Sequence, residues 1–276
     1  MPARATAHSK VTKGQFMRIL ITNDDGISAP GLKVLESIAR DIAGPSGTVT
    51  TVAPAFEQSG VAHCINYARP FMYQTIAPHR VAVEGSPADC VLAGLHEVLD
   101  GPPDLILSGV NRGNNSAENA LYSGTLGAAI EGALQGVLSI ALSQYFGPDN
   151  RDLDDPFDAS ATHCKGVIER IIAHTPVVQP GYQLFYNVNV PPVAAADVKG
   201  IKLVPQGLRP GVGFHTEATT SPSGRQFLWI KGGNQQVRTA PDSDAAVNLD
   251  GYISVTPMRA DLTAHDMLDT LGAIAT

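Results

Sequence analysis

Short apolar runs alternate with amphipathic segments along the first 190 residues of the chain. Continuous runs of apolar or β-branched residues predict buried strands, and they fall at residues 17–22, 48–53, 80–83, 104–107, 139–142 and 184–190. Between these runs, apolar residues recur at helical spacing, which predicts helices that begin near Pro30, Pro87, Gly124 and Asp158. Strands that alternate with helices predict an α/β fold built on a mostly parallel sheet.

The pattern changes beyond residue 190. Residues 200–240 are rich in Gly and Pro and contain short strand-like pieces such as 226–231, which predicts hairpins projecting from the core. Residues 251–256 predict another strand, and a terminal helix is predicted from about Thr263.

These patterns predict a single domain over residues 17–276, of which about 200–276 forms projecting hairpins and a C-terminal arm. Residues 1–16 are polar and lack the apolar stretch of a secretory signal, so we expect a flexible N-terminal extension. No stretch approaches 18 apolar residues, so we expect no membrane span.

Composition narrows the class of partner. Of the 276 residues, 43% are hydrophobic and 16% charged, which is typical of a globular protein, and the net charge is −7. Because the chain has no Lys/Arg run, it lacks the basic footprint of proteins that bind long nucleic acids, although a single nucleotide remains possible. The three cysteines form no CxxC pair, which favours a reducing cytoplasm.

Ligands of open parallel sheets bind at the carboxyl ends of the strands. Three loops follow predicted strands and are rich in polar residues and Gly; we call residues 23–29 the first loop, 54–64 the second loop and 108–124 the third loop.

The first loop contains two adjacent carboxylates in the sequence Asn23-Asp24-Asp25-Gly26. Side by side they repel each other, and a hard cation such as Mg²⁺ or Mn²⁺ relieves that repulsion by binding their oxygens. Gly26 allows the backbone to pass close to a ligand. An Asp-Asp-Gly turn that caps a helix is an equally common arrangement, so these residues alone leave both interpretations open.

The other two loops add neutral ligands. Ser59 can bind a metal through its hydroxyl or cap a helix, and Asn111 offers an amide oxygen. The sequence Ser123-Gly124-Thr125 opens a predicted helix, where free amides and two hydroxyls suit a bound anion. A metal beside such a helix start suits phosphoryl transfer to water.

Several other active sites do not fit the sequence. It has no GxxxxGK[ST], no GxGxxG after the first strand and no GxSxG. A phosphatase that forms an aspartyl-phosphate needs two Asp residues at i and i+2, whereas Asp24 and Asp25 are adjacent. A zinc deacetylase needs a His ligand before the acidic pair, and position 23 is Asn. A nucleotide sensor that binds without turnover remains an alternative.

The motifs, taken in order, resemble the SurE family of stationary-phase survival phosphatases. The resemblance is carried by MRILITNDDGISAPG, VAPAFEQSGVAH, GSPADCV, PDLILSGVNRGNNSAENALYSGTLGAAIEG and DGYISVTPM. It implies a Rossmann-like fold with helices on both faces of the sheet. It also implies a 5′-nucleotidase that hydrolyses nucleoside 5′-monophosphates, with 3′-monophosphates and short polyphosphate as further family substrates.

The resemblance assigns roles by motif position. It implies one divalent metal ion per subunit, Mg²⁺ or Mn²⁺, bound by the side chains of Asp24, Asp25, Ser59 and Asn111. Asp24 and Asp25 are then also the catalytic residues. Substrate and its phosphate are expected to contact Asn23, Gly26, Asn111, Ser123, Gly124 and Thr125.

The resemblance further implies a homo-oligomer, a dimer or tetramer whose subunits exchange C-terminal segments. Two departures from the family pattern lie in that part of the chain. The stretch at 221–229 lacks the leading Asp that the family often shows, and Ser243 replaces a Thr. These differences bear on base preference and assembly more than on the chemistry.

Overall fold

The computed structural model describes residues 17–176 and 181–275; the predicted N-terminal extension, residues 1–16, lies outside the described residues. The strands are β1 Arg18–Thr22, β2 Thr48–Pro54, β3 Tyr73–Ala77, β4 Arg80–Val83, β5 Leu105–Arg112, β6 Ser139–Gln144, β7 Phe185–Val190, β8 Ile201–Leu203, β9 His215–Thr220, β10 Gln226–Lys231 and β11 Ile253–Met258. The α-helices are α1 Pro30–Ala43, α2 Pro87–Ala93, α3 Gly124–Leu134, α4 Asp158–His174 and α5 Asp244–Leu249. No helix within the described ranges is long and apolar enough to cross a membrane.

A nine-stranded sheet forms the centre of the molecule, in the order β3-β4-β2-β1-β5-β6-β7-β11-β8. Its pairings are parallel except for β3 with β4 and β7 with β11. The chain builds outward from β1 to β2 and β4 on one side, then returns to add β5, β6 and β7 on the other. The strand order therefore reverses between β1 and β5, which is where ligands bind in folds of this kind.

Helices cover both faces of the sheet, as predicted. Alternate residues of β1 explain this arrangement, because successive side chains of a strand point to opposite faces. Ile19 and Ile21 pack in one core cluster with Leu35 of α1 and Val167 of α4. Leu20 packs in a second cluster, which includes Val91 of α2 and Ala128 of α3.

The helices begin where the sequence predicts. Pro30 occupies the first turn of α1, where a missing N–H costs nothing. At α2, the Ser86 hydroxyl accepts a hydrogen bond from the Asp89 amide, and the Asp89 carboxylate accepts one from the Ser86 amide. This reciprocal capping box fixes the start of α2. Helix α2 ends at Ala93 and continues as one π-helical turn, Gly94–Val98.

The C-terminal region differs from the prediction in two respects. The terminal helix predicted from about Thr263 is wrong: the described residues there form only short 3₁₀ turns, at His265–Met267 and Gly272–Ala275. Their apolar side chains are largely exposed, so no packed face stabilises an α-helix. The predicted arm over residues 200–276 is also not uniform, because β8 and β11 belong to the main sheet and α5 is buried against it. Only the β9–β10 hairpin forms a separate two-stranded sheet within the described residues.

Candidate functional site

The three loops meet at the carboxyl ends of β1, β2 and β5. Thr22, the last residue of β1, pairs in register with Ser108 of β5. The second loop joins the first through backbone hydrogen bonds, from the Gln58 amide to the Asp24 carbonyl at 2.7 Å and from the Ile27 amide to the Pro54 carbonyl at 2.7 Å. The convergence predicted for these loops is therefore present in the structure.

Asp24 is the most buried carboxylate of the site, with 5% of its surface exposed. The Thr125 hydroxyl donates to Asp24 Oδ1 at 2.7 Å, and the Thr125 amide donates to Oδ2 at 3.2 Å. Burial raises the pKa of Asp24 to about 6; the adjacent Asp25 charge adds to this shift, and the Thr125 hydrogen bonds oppose it. An ionised Asp24 is thus costly without a nearby positive charge.

Asp25 lies beside Asp24 but is less buried. Its Oδ2 accepts a hydrogen bond from the Arg112 amide at 3.0 Å, which ties the first loop to the end of β5. Burial raises the pKa of Asp25, and the Glu57 carboxylate adds to the shift, whereas the Arg112 amide opposes it. The rim therefore holds a third acidic group close to the predicted pair.

Of the predicted neutral ligands, Ser59 lies on the second loop and Asn111 lies near the end of β5, which continues beyond the predicted strand end at Leu107. Ser59 is exposed, follows Gln58 directly and donates its hydroxyl to Glu57 Oε1 at 2.7 Å. The Asn111 amide nitrogen donates to the Gly113 carbonyl at 2.9 Å, so the amide oxygen is the atom through which Asn111 could bind a cation.

Asn23 and Gly26 shape the first loop. Asn23 is fully buried and donates its amide nitrogen to the Gly26 carbonyl at 2.9 Å. Its Oδ1 atom has no hydrogen-bond partner among the described residues. Gly26 has a φ of +98°, a conformation that side-chain-bearing residues rarely adopt, so Gly is required at this turn.

The start of α3 contacts the first loop directly. A Cβ atom at Gly124 would lie 3.0 Å from the Asp24 Cβ, so only Gly allows the helix to approach so closely. Ser123 caps α3 by accepting a hydrogen bond from the Leu126 amide. The Thr125 amide is already bound to Asp24. Of the amides predicted to bind an anion, that of Thr125 is therefore hydrogen-bonded within the protein.

Three residues that the sequence did not single out contact the predicted site. The Asn115 amide nitrogen donates to the Thr125 hydroxyl at 3.3 Å and to the Ser143 hydroxyl at 2.9 Å. Asn115 therefore helps to hold the Thr125 hydroxyl, which in turn donates to Asp24. Glu57 and Arg112 are the others, through the contacts described above. Asn115 could have been suspected because it lies in the Asn/Gly-rich third loop, but Arg112 acts through its backbone, which no side-chain pattern reveals.

The second loop is also fastened to α3. His63 Nε2 lies 2.7 Å from the carboxylate of Glu131, and the Ala62 amide donates to the Tyr122 carbonyl at 3.1 Å. Gly127 makes this contact possible, because a Cβ atom there would lie 2.2 Å from the Ala62 carbonyl oxygen. Ser59 is three residues upstream of Ala62, so this docking positions the loop that carries it.

The donor chemistry fits a hard cation. The side chains predicted to bind metal supply two carboxylates, one hydroxyl and one amide oxygen, all of them oxygen donors of the kind that Mg²⁺ and Mn²⁺ prefer. The orphaned Oδ1 of buried Asn23 and the unfavourable burial of the Asp24 charge show that the protein alone satisfies these polar groups incompletely. The predicted donors include neither His nor Cys, unlike a zinc site. No cluster of three or more His, Cys, Asp and Glu side chains suited to a metal occurs within the described ranges.

The fold and site together define an α/β protein with a paired-carboxylate site at the switch point of a mostly parallel sheet. A sequence model of the family described as "Survival protein SurE" matches residues 19–211. The chain belongs to the SurE family.

Relatives and a solved structure match the chain over nearly its whole length. A protein of Roseobacter denitrificans named 5′-nucleotidase SurE is 66% identical, over 94% of this chain and 100% of the relative. One of Ruegeria pomeroyi with the same name is 65% identical, over 93% of this chain and 99% of the relative. The crystal structure of the SurE protein from Aquifex aeolicus superimposes with a TM-score of 0.77 at 31% identity, covering 94% of this chain and 100% of that one.

Proposed function

We propose that this chain is a divalent-metal-dependent phosphomonoesterase that hydrolyses nucleoside 5′-monophosphates to nucleoside and phosphate. The observation that carries the proposal is the buried Asp24 carboxylate, adjacent to Asp25 and hydrogen-bonded to Thr125 at the start of α3. The names of the Roseobacter and Ruegeria relatives support the substrate class.

In this proposal Asp24, Asp25, Ser59 and Asn111 hold one Mg²⁺ or Mn²⁺ ion. Such an ion, when bound, neutralises the two carboxylates and polarises a phosphoryl oxygen. Asp24 is held in place by Thr125, so its carboxylate keeps a fixed orientation as ligands exchange. Asp25 accepts a hydrogen bond from the attacking water and orients it in line with the bond to the leaving oxygen.

The substrate phosphate lies at the start of α3. Because Thr125 and Ser123 are engaged with Asp24 and Leu126, the Gly124 amide and the Ser123 hydroxyl hydrogen are the groups that can donate to phosphate oxygens. Asn23 and Gly26 line the same pocket. As the reaction proceeds, the water oxygen adds to phosphorus, the ester P–O bond breaks, and one proton of that water ends on the leaving oxygen, so the products are a nucleoside and inorganic phosphate.

The proposal also covers assembly and location. Four consecutive large side chains of β10 are largely exposed, namely Phe227, Leu228, Trp229 and Ile230, and they support pairing of the β9–β10 hairpin with another subunit of a homodimer or homotetramer. Cys64, Cys90 and Cys164 are all free thiols, which supports a cytoplasmic location.

Phosphate release from a panel of nucleoside 5′- and 3′-monophosphates and short polyphosphate tests this function. We expect release from 5′-monophosphates with Mg²⁺ or Mn²⁺, loss of release after EDTA, and recovery when either metal is restored. Folded protein that binds a nucleotide but releases no phosphate with any of these metals would establish a nucleotide sensor instead.

A further inference from the structure

Two aromatic rings lie next to the start of α3 and remain open to solvent. Tyr122 and Phe214 pack edge to face, with ring centroids 4.7 Å apart and planes at 74°. Their exposed fractions are 48% and 46%, and the neighbouring Leu121 is 64% exposed. An exposed aromatic surface beside a polar pocket is a common feature of ligand-binding sites.

The chain connects this aromatic pair to the candidate phosphate site. Tyr122 immediately precedes Ser123, the N-cap of α3, and lies two residues before Gly124, which touches Asp24. The Tyr122 carbonyl also accepts the hydrogen bond from the docked second loop at Ala62. The ring of Tyr122 therefore belongs to the same chain segment as the groups that would bind the phosphate.

Phe214 comes from a distant part of the sequence, and several contacts fix the base of its hairpin against the third loop. The Asn119 amide nitrogen donates to Gln235 Oε1 at 2.6 Å. The buried Arg209 guanidinium donates to the Asn114 side chain at 3.0 Å and to the Ser116 carbonyl at 3.1 Å. The two rings are thus held together before any ligand binds, which lowers the entropy cost of stacking.

We infer that Tyr122 and Phe214 form the stacking platform for the nucleobase of the substrate: because the ring planes stand at 74°, the base stacks on the face of one ring and packs against the other. This inference rests on the proposed function, which places the phosphate at α3, and adds the part of the site that distinguishes a nucleotide from other phosphate esters. Stacking uses the π-face that every base has, so the platform favours nucleotides as a class and discriminates weakly among bases.

The test compares AMP with ribose 5-phosphate, which has the same phosphate ester but no base. In Tyr122→Ala and in Phe214→Leu, the ratio of kcat/KM for AMP to that for ribose 5-phosphate should fall, by about tenfold for the ring on which the base stacks, since stacking on one aromatic ring is worth about an order of magnitude in affinity. Phe214→Leu keeps an apolar side chain and removes the ring, which protects the fold. Tyr122→Phe keeps the ring and should retain the wild-type ratio.

Tyr182→Ala is the matched control, because Tyr182 is 50% exposed and precedes β7, so it lies at the amino ends of the parallel strands, away from the carboxyl ends that carry the site. It should leave the ratio unchanged. An equal loss on both substrates, or an unchanged ratio in both ring-removing variants, overturns the inference. If the wild type hydrolyses neither substrate, the proposed function fails, and equilibrium binding of AMP and ribose 5-phosphate to the same variants then decides the platform separately.

Discussion

At the residue scale, the site depends on how the buried charge of Asp24 is supported. Thr125 donates two hydrogen bonds to that carboxylate, and its hydroxyl accepts one from Asn115. The chain of contacts runs from Ser143 in β6 through Asn115 and Thr125 to Asp24. Thr125, which is not one of the predicted metal ligands, thus fixes the orientation of Asp24, which is one.

Replacing Thr125 tests this support. Thr125→Val keeps the shape but removes the hydroxyl, so Asp24 and Asn115 each lose a buried hydrogen bond. We expect the free energy of unfolding to fall by about 1–3 kcal/mol and Mn²⁺ affinity to fall with it. Thr125→Ser keeps both hydrogen bonds and should lose far less of either. Urea unfolding and metal titration measure the two effects, and equal behaviour of Val and Ser variants would contradict the account.

Much of the candidate site could be predicted from single residues. Asp24 and Asp25 follow β1 and Asn111 lies near the end of β5, and parallel strands bring their carboxyl ends to one edge. The sequence could not show that the Thr125 amide is occupied by Asp24, because that depends on how closely α3 approaches the first loop. The metal and substrate roles of the predicted residues remain predictions.

At the element scale, the second loop is positioned by its contact with α3. The loop crosses the helix at Gly127, where the absence of a side chain leaves room for the Ala62 carbonyl. The pair of His63 and Glu131 lies beside this crossing. The position of Ser59 at the rim therefore depends on the contact between the second loop and α3 as well as on strand β2.

Glycine-to-alanine substitutions in two helices distinguish the effect of this contact on stability from the general effect of Ala on helix propensity. Gly127→Ala should lower the free energy of unfolding by about 1–3 kcal/mol, because the new Cβ clashes with the Ala62 carbonyl. Gly166→Ala, on exposed α4 surface with nothing within 4 Å, should instead raise it by about 0.5–1 kcal/mol. Thermal and urea unfolding measure both changes. A stabilising Gly127→Ala would show that the loop does not lie against α3.

The contact between His63 and Glu131, which also holds the second loop against α3, predicts that stability depends on pH. The His63 hydrogen bond lowers the pKa of Glu131 below its usual 4.5. Since the folded-state pKa is depressed, the stabilisation is present above about pH 4.5 and is lost as the pH falls through the folded-state value. Wild type should therefore exceed Glu131→Gln in unfolding free energy at pH 7, and the difference should shrink below pH 4.5. Glu169→Gln, on the exposed surface of α4, is the control. If the difference in unfolding free energy between wild type and Glu131→Gln did not change with pH, the stabilising role of the His63–Glu131 contact would be refuted.

Elements with a strong apolar pattern could be predicted, and elements without one could not. Strand β4 has the predicted bounds, Arg80–Val83, and β10 has the bounds 226–231. Strands β3 and β8 were not predicted because their side chains are mostly exposed or intermediate and show no buried run. The short helix α5 was missed because its six residues are too few to show a helical period.

At the scale of the whole molecule, the reversal of strand order between β1 and β5 creates the crevice, and its three flanking loops supply the polar groups. The alternation of strands and helices was sufficient to predict this α/β class and its mostly parallel sheet. The sequence did not predict that β11 returns to the sheet antiparallel to β7, because such a pairing joins segments about 70 residues apart in the chain, which no local pattern records.

The exposed apolar residues of the β9–β10 hairpin predict an oligomer. Light scattering should give a mass two or four times the 28.9 kDa of one chain. Trp229 is the chain's single Trp and lies in β10, so its fluorescence should shift to the red when Leu228→Asp disrupts subunit pairing. A monomeric wild type at micromolar concentration would contradict this assembly.

The central claim is that the acidic pair after β1 carries metal-dependent hydrolysis, and phosphate release by Asp25→Asn tests it most directly. The control is Asp41→Asn, an exposed carboxylate near the end of α1. With AMP and a titration of Mn²⁺, we expect the wild type and Asp41→Asn to release phosphate equally. Asp25→Asn should lose at least a hundredfold in kcat/KM, as is common when a group that acts in the transition state is removed. Near-normal release by folded Asp25→Asn would place the chemistry elsewhere.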